Sequence, residues 1–215
     1  MENVDFTIEP NEFRINGIPD AHQVASLDTP QAKRLADMAA HRIDLFFVLE
    51  CLKELDGKAY EPNSIVQNAL WNSAIVHYVK CFGGGHGARG QLSAHKILKT
   101  EPAEAMRCHG FFERLRNKHV VHDDQAWSSF MPMAVINNGR KSYKIEKIIC
   151  SSVEGVHFDI ANYGNLRLLT EIALKWVEKE FDALAVNLTS FLETLSFAEL
   201  TAMPPPQYTV PDYSK

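Results

Sequence analysis

The sequence lacks any close pair of cysteines. Cys51, Cys81, Cys108 and Cys150 lie far apart with no C-x-x-C, which excludes a disulfide framework or a cysteine-rich zinc site and leaves reduced, packed thiols as the expectation. No apolar run approaches the ~18 residues a membrane span needs; "IDLFFVLECL" is too short. The start, "MENVDFTIEPNEF", has no basic flank followed by an apolar stretch, so no secretory signal is expected. There is no G-K-[ST] after a strand, no H-E-x-x-H, no internal repeat and no sustained heptad run, and no metal or cofactor is expected. Positive charge is also short, with 22 Lys and Arg against 27 Asp and Glu. That argues against a protein coated in nucleic acid. The expectation is a cytoplasmic protein with no membrane partner.

What is there suffices for one sizeable core, since 46% of the 215 residues are hydrophobic. Residues 1–28 read as irregular or short extended segments. A first helix begins after "SLDTP", with Asp28 or Thr29 as cap and Pro30 in its first turn, and ends before Gly57. Ala32, Leu35, Ala39, Ile43, Phe46, Phe47 and Leu49 are its expected buried face. A second helix follows Asn63 or Ser64 and stops at the glycines from Gly83, with Ile65, Trp71, Ile75 and Val79 in its apolar stripe. The stretch to "HKILKT" reads as a loop or a poorly formed helix, with a flexible connector favoured. The third helix, about 101–121, takes Thr100 as cap and Pro102 in its first turn, and buries Met106, Phe111, Phe112, Leu115 and Val120. Two β-prone runs around Asn138-Gly139 predict a hairpin at about 131–150. A fourth, long helix covers about 160–197, and a proline-rich tail occupies 201–215. The whole is a mainly α bundle of four to five helices spanning 29–200, with the hairpin inserted before the last long helix.

Charge is uneven along this plan. Positions 80–118 hold eight basic residues against three acidic ones, whereas the rest of the chain holds 14 against 24. Such a segment steers phosphate-bearing ligands, although charge runs usually only solvate a helix face. The segment closes on "ERLRNKHVVHDD", residues 113–124. One reading is an end cap, because Arg and His near a helix C-terminus complement its dipole. The other is chemistry. A guanidinium holds a phosphate through two parallel hydrogen bonds, and an imidazole moves a proton near neutral pH. Together they can cleave an RNA phosphodiester without metal, the base taking the 2′-OH proton while the arginine neutralises charge on the phosphate.

The residues "RNKHVVH", with Arg116-Asn117 followed after four positions by His122, resemble the R-[polar]-x(4–6)-H signature of the HEPN superfamily (higher eukaryotes and prokaryotes nucleotide-binding domain). "FFERLRNKHVVHDD" at the close of a bundle helix is similar to the ribonucleases of abortive-infection and toxin–antitoxin systems. The likeness in helical plan covers about 29–197, and the motif itself seven residues. The resemblance implies an up-and-down bundle that dimerises with two motif copies facing each other, an RNA substrate and an antitoxin protein partner. It implies that Arg116 binds the scissile phosphate, His122 acts in acid/base catalysis and Asn117 orients the site. Lys118 and His119 occupy variable positions, and they and Asp123 are possible supporting residues. A non-catalytic HEPN-like bundle that binds a nucleotide or a protein is the alternative.

On a straight helix six residues turn Arg116 and His122 about 240° apart. Either the last turn loosens or a second subunit supplies the other group, as a two-fold dimer would. His119 shares a face with Arg116 at i,i+3, so the choice between His119 and His122 as proton carrier stays open. His119-x-x-His122 beside Asp123 would be a sparse metal site. His77, inside an apolar stripe, reads as a helix histidine satisfied by packing. Cys108 and His109 are adjacent and point apart, so they make no nucleophile–base pair.

Overall fold

Local capping chemistry sets the starts of three of the six described helices. The computed structural model describes residues 6–9, 12–15, 18, 21, 23–56, 64–83, 89–117, 128–154 and 160–207. Thr29 Oγ1 accepts from the Ala32 N–H at 3.0 Å and opens α1 (Pro30–Leu55). Pro30 costs nothing there, because first-turn N–H groups have no intrahelical partner. α2 (Ile65–Lys80) follows Ser64, whose side chain makes no cap bond. Within the stretch expected to be a flexible connector, Ser93 accepts from the Lys96 N–H and starts a single helical turn, α3 (Ala94–Ile97). Leu92, Ile97 and Leu98 are buried there, so apolar burial overrides the glycine-rich signal over this part.

α4 (Ala103–Leu115) begins two residues later than the expected third helix, whose expected end at about 121 lies outside the described residues. Pro102, with φ −55° and ψ 149°, takes the N-cap position in place of Thr100. Regular winding stops at Leu115, and Arg116 and Asn117 adopt a wider, π-type turn. The strands β1 (Phe6–Glu9) and β2 (Glu12–Ile15) pair antiparallel from Phe6↔Ile15 to Glu9↔Glu12. The inserted hairpin is β3 (Ser128–Ile136) and β4 (Ile145–Glu154), in register from Ser128↔Glu154 to Ile136↔Ile145. It is longer than expected, and Asn138-Gly139 is not a tight turn but part of a loop over 137–144. The cause is Asn137, whose Oδ1 accepts from the Gly139 N–H at 2.8 Å and whose Nδ2 donates to the Tyr143 carbonyl. These bonds bridge the loop in place of a two-residue reversal. Gly139 has φ 78°, the left-handed region that a Cβ disfavours.

The expected last helix, about 160–197, ends earlier, and a short helix not expected from the sequence follows it. α5 (Ile160–Leu192) ends, and Ser196 begins α6 (Phe197–Thr201) through a reciprocal capping box with Glu199. Among the described residues the fold is therefore mainly helical, with six helices and two two-stranded sheets.

The chain divides into two compact units. In the unit Ile43–Leu174, Leu45, Val48, Leu52 and Leu55 line the buried side of α1, and Trp71, Ala74, Ile75, Tyr78 and Val79 that of α2. Phe112 meets Trp71 and Tyr78 edge-on at 6.1 and 6.3 Å between centroids. Burying each such ring stabilises by roughly 1.5–3 kcal/mol, and the edge-on geometry adds to it. The Tyr163 hydroxyl donates to the Leu52 carbonyl at 3.2 Å, fixing the start of α5 against the end of α1. The expected face of α1 is corrected here: Ile43, Phe46 and Phe47 are exposed, as are Ile65 on α2 and Met106 on α4. In the unit Met1–Arg42 with Lys175–Lys215, Arg42 pairs with Glu178 at 3.2 Å, and the Ser26 N–H donates to the Pro204 carbonyl at 2.8 Å.

Candidate functional site

Arg116 stands where α4 stops. Its own N–H reaches the Phe112 and Glu113 carbonyls, so the backbone is still tied to the helix while the winding widens. The preceding Leu115 is buried and anchors this end. The guanidinium is half-buried. Its Nη1 donates to Asn117 Oδ1 at 2.8 Å, and its Nε is buried with no hydrogen-bond partner among the described residues. A buried donor left unmade costs about 1–3 kcal/mol. Arg116 and Asn117 are thus brought together, while Lys118, His119, His122 and Asp123 lie outside the described residues. So does Val120.

A second constellation gathers on α1, α2 and the segment after them. Asp44 is a lone carboxylate in the apolar run "IDLFFVL" and is buried. Its Oδ2 accepts from Arg89 Nη1 at 2.7 Å. Its Oδ1 accepts from His77 Nδ1 at 2.8 Å and from Lys80 Nζ at 3.1 Å. His77 and Lys80 are at i,i+3 and so share one face of α2. The Phe47 ring lies against the imidazole, 4.4 Å between centroids. Burial pushes the Asp44 carboxyl up, but the hydrogen bonds from Arg89, His77 and Lys80 outweigh it and hold the group below its ordinary 3.8. The sequence reading of His77 as a satisfied helix histidine rather than a metal ligand agrees with these contacts, but it did not single out Asp44 as the partner. A carboxylate inside an apolar helical run was the available signal, because such a group needs buried cationic partners.

His109 is a buried neighbour of a different kind. With Nε2 facing Glu113 Oε1 at 3.5 Å, Nδ1 accepts from the Tyr78 hydroxyl at 3.0 Å. Burial lowers the His109 pKa below 6.5 against the opposing pull of Glu113, and burial raises that of Tyr78. The pair is a satisfied core network rather than a reactive one.

The four cysteines are free thiols. Burial pushes the Cys81 pKa up to about 12 and also raises that of Cys51, which removes both as nucleophiles near neutral pH. Among the described residues no three His, Cys, Asp or Glu side chains converge as metal ligands, and no described helix is long and apolar enough to cross a membrane. A groove of about 480 Å³, lined by Val24, Leu27, Phe197, Leu200 and Met203 among others, is apolar and brings no titratable group. Comparison with family models, with curated proteins and with solved structures finds no match to this chain.

Proposed function

We propose that this chain is a metal-independent RNA endonuclease of the HEPN type, a toxin or phage-defence effector that works as a homodimer in the cytoplasm and is held in check by an antitoxin protein. Arg116 binds the scissile phosphate, Asn117 orients it, and His122 carries the proton, with Lys118, His119 and Asp123 as supporting residues. The observation that carries the reading is the Arg116 guanidinium: half-buried at a helix end, coupled to Asn117, with its Nε donor unpartnered. A phosphate oxygen accepting from Nε would recover the lost hydrogen bond, and charge-assisted bonds of this kind are the stronger class. The wider turn at Arg116–Asn117 also departs from straight α-helical winding at the motif itself.

The chemistry needs no metal. A base takes the 2′-OH proton, the alkoxide attacks phosphorus, and an acid protonates the 5′-oxygen that leaves, giving a 2′,3′-cyclic phosphate and a 5′-OH. Arg116 offsets the charge that develops on the non-bridging oxygens. Arg116→Ala and His122→Ala should each lower cleavage of single-stranded RNA by at least about 100-fold, in the range typical of lost charge stabilisation or acid/base catalysis. Both variants should remain folded by circular dichroism. Wild-type expression should slow growth, cleavage should survive EDTA, and product ends should be cyclic phosphates. Light scattering should give about twice the 24.3 kDa protomer mass. Intact RNA together with saturable nucleotide binding would favour a non-catalytic nucleotide-binding bundle, and 5′-phosphate ends would rule out the 2′-OH route.

A further inference from the structure

We infer that Asp44, His77, Lys80 and Arg89 form a binding site for a phosphate monoester, separate in its residues from the Arg116 motif. One arginine neutralises one buried carboxylate, and Arg89 already does so at 2.7 Å. Lys80 adds a further cation at 3.1 Å, and the side chains of Arg89, His77 and Lys80 are 21%, 32% and 53% exposed around a carboxylate exposed only 6%. The cluster therefore presents surplus positive charge to solvent while hiding its negative one. Interaction with the helix dipole would account for cations in the last turn of α2, but not for an arginine arriving from outside that helix.

The histidine is arranged for a ligand as well. Its Nδ1–H is spent on Asp44, which fixes the tautomer and leaves Nε2 as the outward atom. Among the described residues Nε2 makes no hydrogen bond, and Phe47 restrains the ring plane. Nε2 is then an acceptor for a hydroxyl of the ligand, such as a protonated phosphate oxygen. Lys80 retains further N–H donors beyond the one given to Asp44, and Arg89 offers the remaining edge of its fork. Lys80 and Arg89 against the one Asp44 carboxylate leave a charge of +1, which a dianionic monoester engages more strongly than a singly charged phosphodiester does.

The test is titration of the full-length protein with inorganic phosphate at constant ionic strength, followed through the His77 imidazole NMR signals, which His77→Gln assigns by their loss. Adenosine 5′-monophosphate and the dinucleotide ApA form the second and third arms. Expected are a saturable shift with millimolar half-saturation, at least tenfold tighter binding of the monoester than of ApA, and at least tenfold weakening in Lys80→Gln and in Arg89→Lys. Lys80→Gln leaves the Asp44–Arg89 pair in place, and Arg89→Lys keeps a cation beside Asp44, so both retain the fold. No saturation by 50 mM phosphate (on the order of ten times the expected midpoint), or equal half-saturation in wild type and Lys80→Gln, would overturn the site. Because Arg116→Ala leaves these residues intact, its phosphate titration should match wild type whether or not RNA cleavage is observed.

Discussion

Asp44 shows how one residue couples stability to charge. Removing the carboxylate in Asp44→Ala would leave Arg89, Lys80 and His77 crowded without their counter-ion. The remaining cations reach solvent, so the loss should be smaller than for a fully buried pair, about 1–3 kcal/mol in urea unfolding, and smaller still in Asp44→Asn, which keeps an acceptor oxygen. The pH dependence carries a sign. The folded-state pKa of Asp44 is below 3.8, so its contribution is present above 3.8 and is lost as pH falls through the lower folded value. His109 acts in an earlier window. Its folded pKa is depressed below 6.5, so the neutral ring favours the fold above 6.5 and that advantage is lost as the solution is acidified from there. His109→Gln, which keeps an acceptor for the Tyr78 hydroxyl, should flatten the fall in Tm between about pH 6.5 and pH 5, the range in which an unperturbed histidine titrates. A wild-type Tm that rises on acidification through that range would contradict the buried, neutral assignment of His109.

At the scale of elements, energies divide by whether packing or local chemistry holds the piece. Leu45 is fully buried on α1 and Ile43, two residues earlier, is 70% exposed. Leu45→Ala should cost about 2–5 kcal/mol and Ile43→Ala less than about 1 kcal/mol of protomer stability. That contrast marks where the sequence was legible and where it was not. Helix positions are written locally: Thr29 with Pro30, Ser64, the glycines after α2 and the β-prone runs on either side of Gly139 all mark real boundaries. The buried face of α1 is not, because Ala39, Ile43, Phe46 and Phe47 form one apolar row, Met38, Leu45, Val48 and Leu52 form another, and only tertiary partners choose between them. The short α6 beyond the last long helix was equally hidden, since Phe197 and Leu200 continue the apolar period while Ser196 and Glu199 supply a fresh start. Ser196→Ala should fray α6 at a cost near 1 kcal/mol, visible as faster amide exchange in α6. Gly139→Val should destabilise the hairpin by about 1–2 kcal/mol, because a β-branched side chain strains the left-handed conformation held there. Of the candidate site, the Arg116–Asn117 pairing follows from adjacency, whereas the Asp44 cluster joins positions 33 to 45 residues apart and needed the fold to assemble it.

For the whole molecule, the proposed ribonuclease makes a demand that no single copy need meet. A two-fold interface sets each surface patch against its own copy, so Arg116 of one protomer can work with His122 of the other. The exposed apolar side chains of the isolated chain, among them Ile43, Phe46 and Phe47 on α1, leave surface that such an interface could cover. Complementation tests the arrangement directly. When Arg116→Ala and His122→Ala chains are co-expressed in equal amounts, about half of the dimers are mixed, and each mixed dimer rebuilds one intact Arg–His pair out of two. Cleavage should then return to about a quarter of the wild-type rate, although each variant alone is inactive. Recovery should vanish when both substitutions are carried on the same chain and paired with Arg116→Ala, because no arginine is then present. If the mixed dimers form, as tagged pull-down reports, and activity still does not return, the two groups act within one chain. The loosened turn at Arg116–Asn117, rather than a partner, would then have to bring the imidazole to the phosphate.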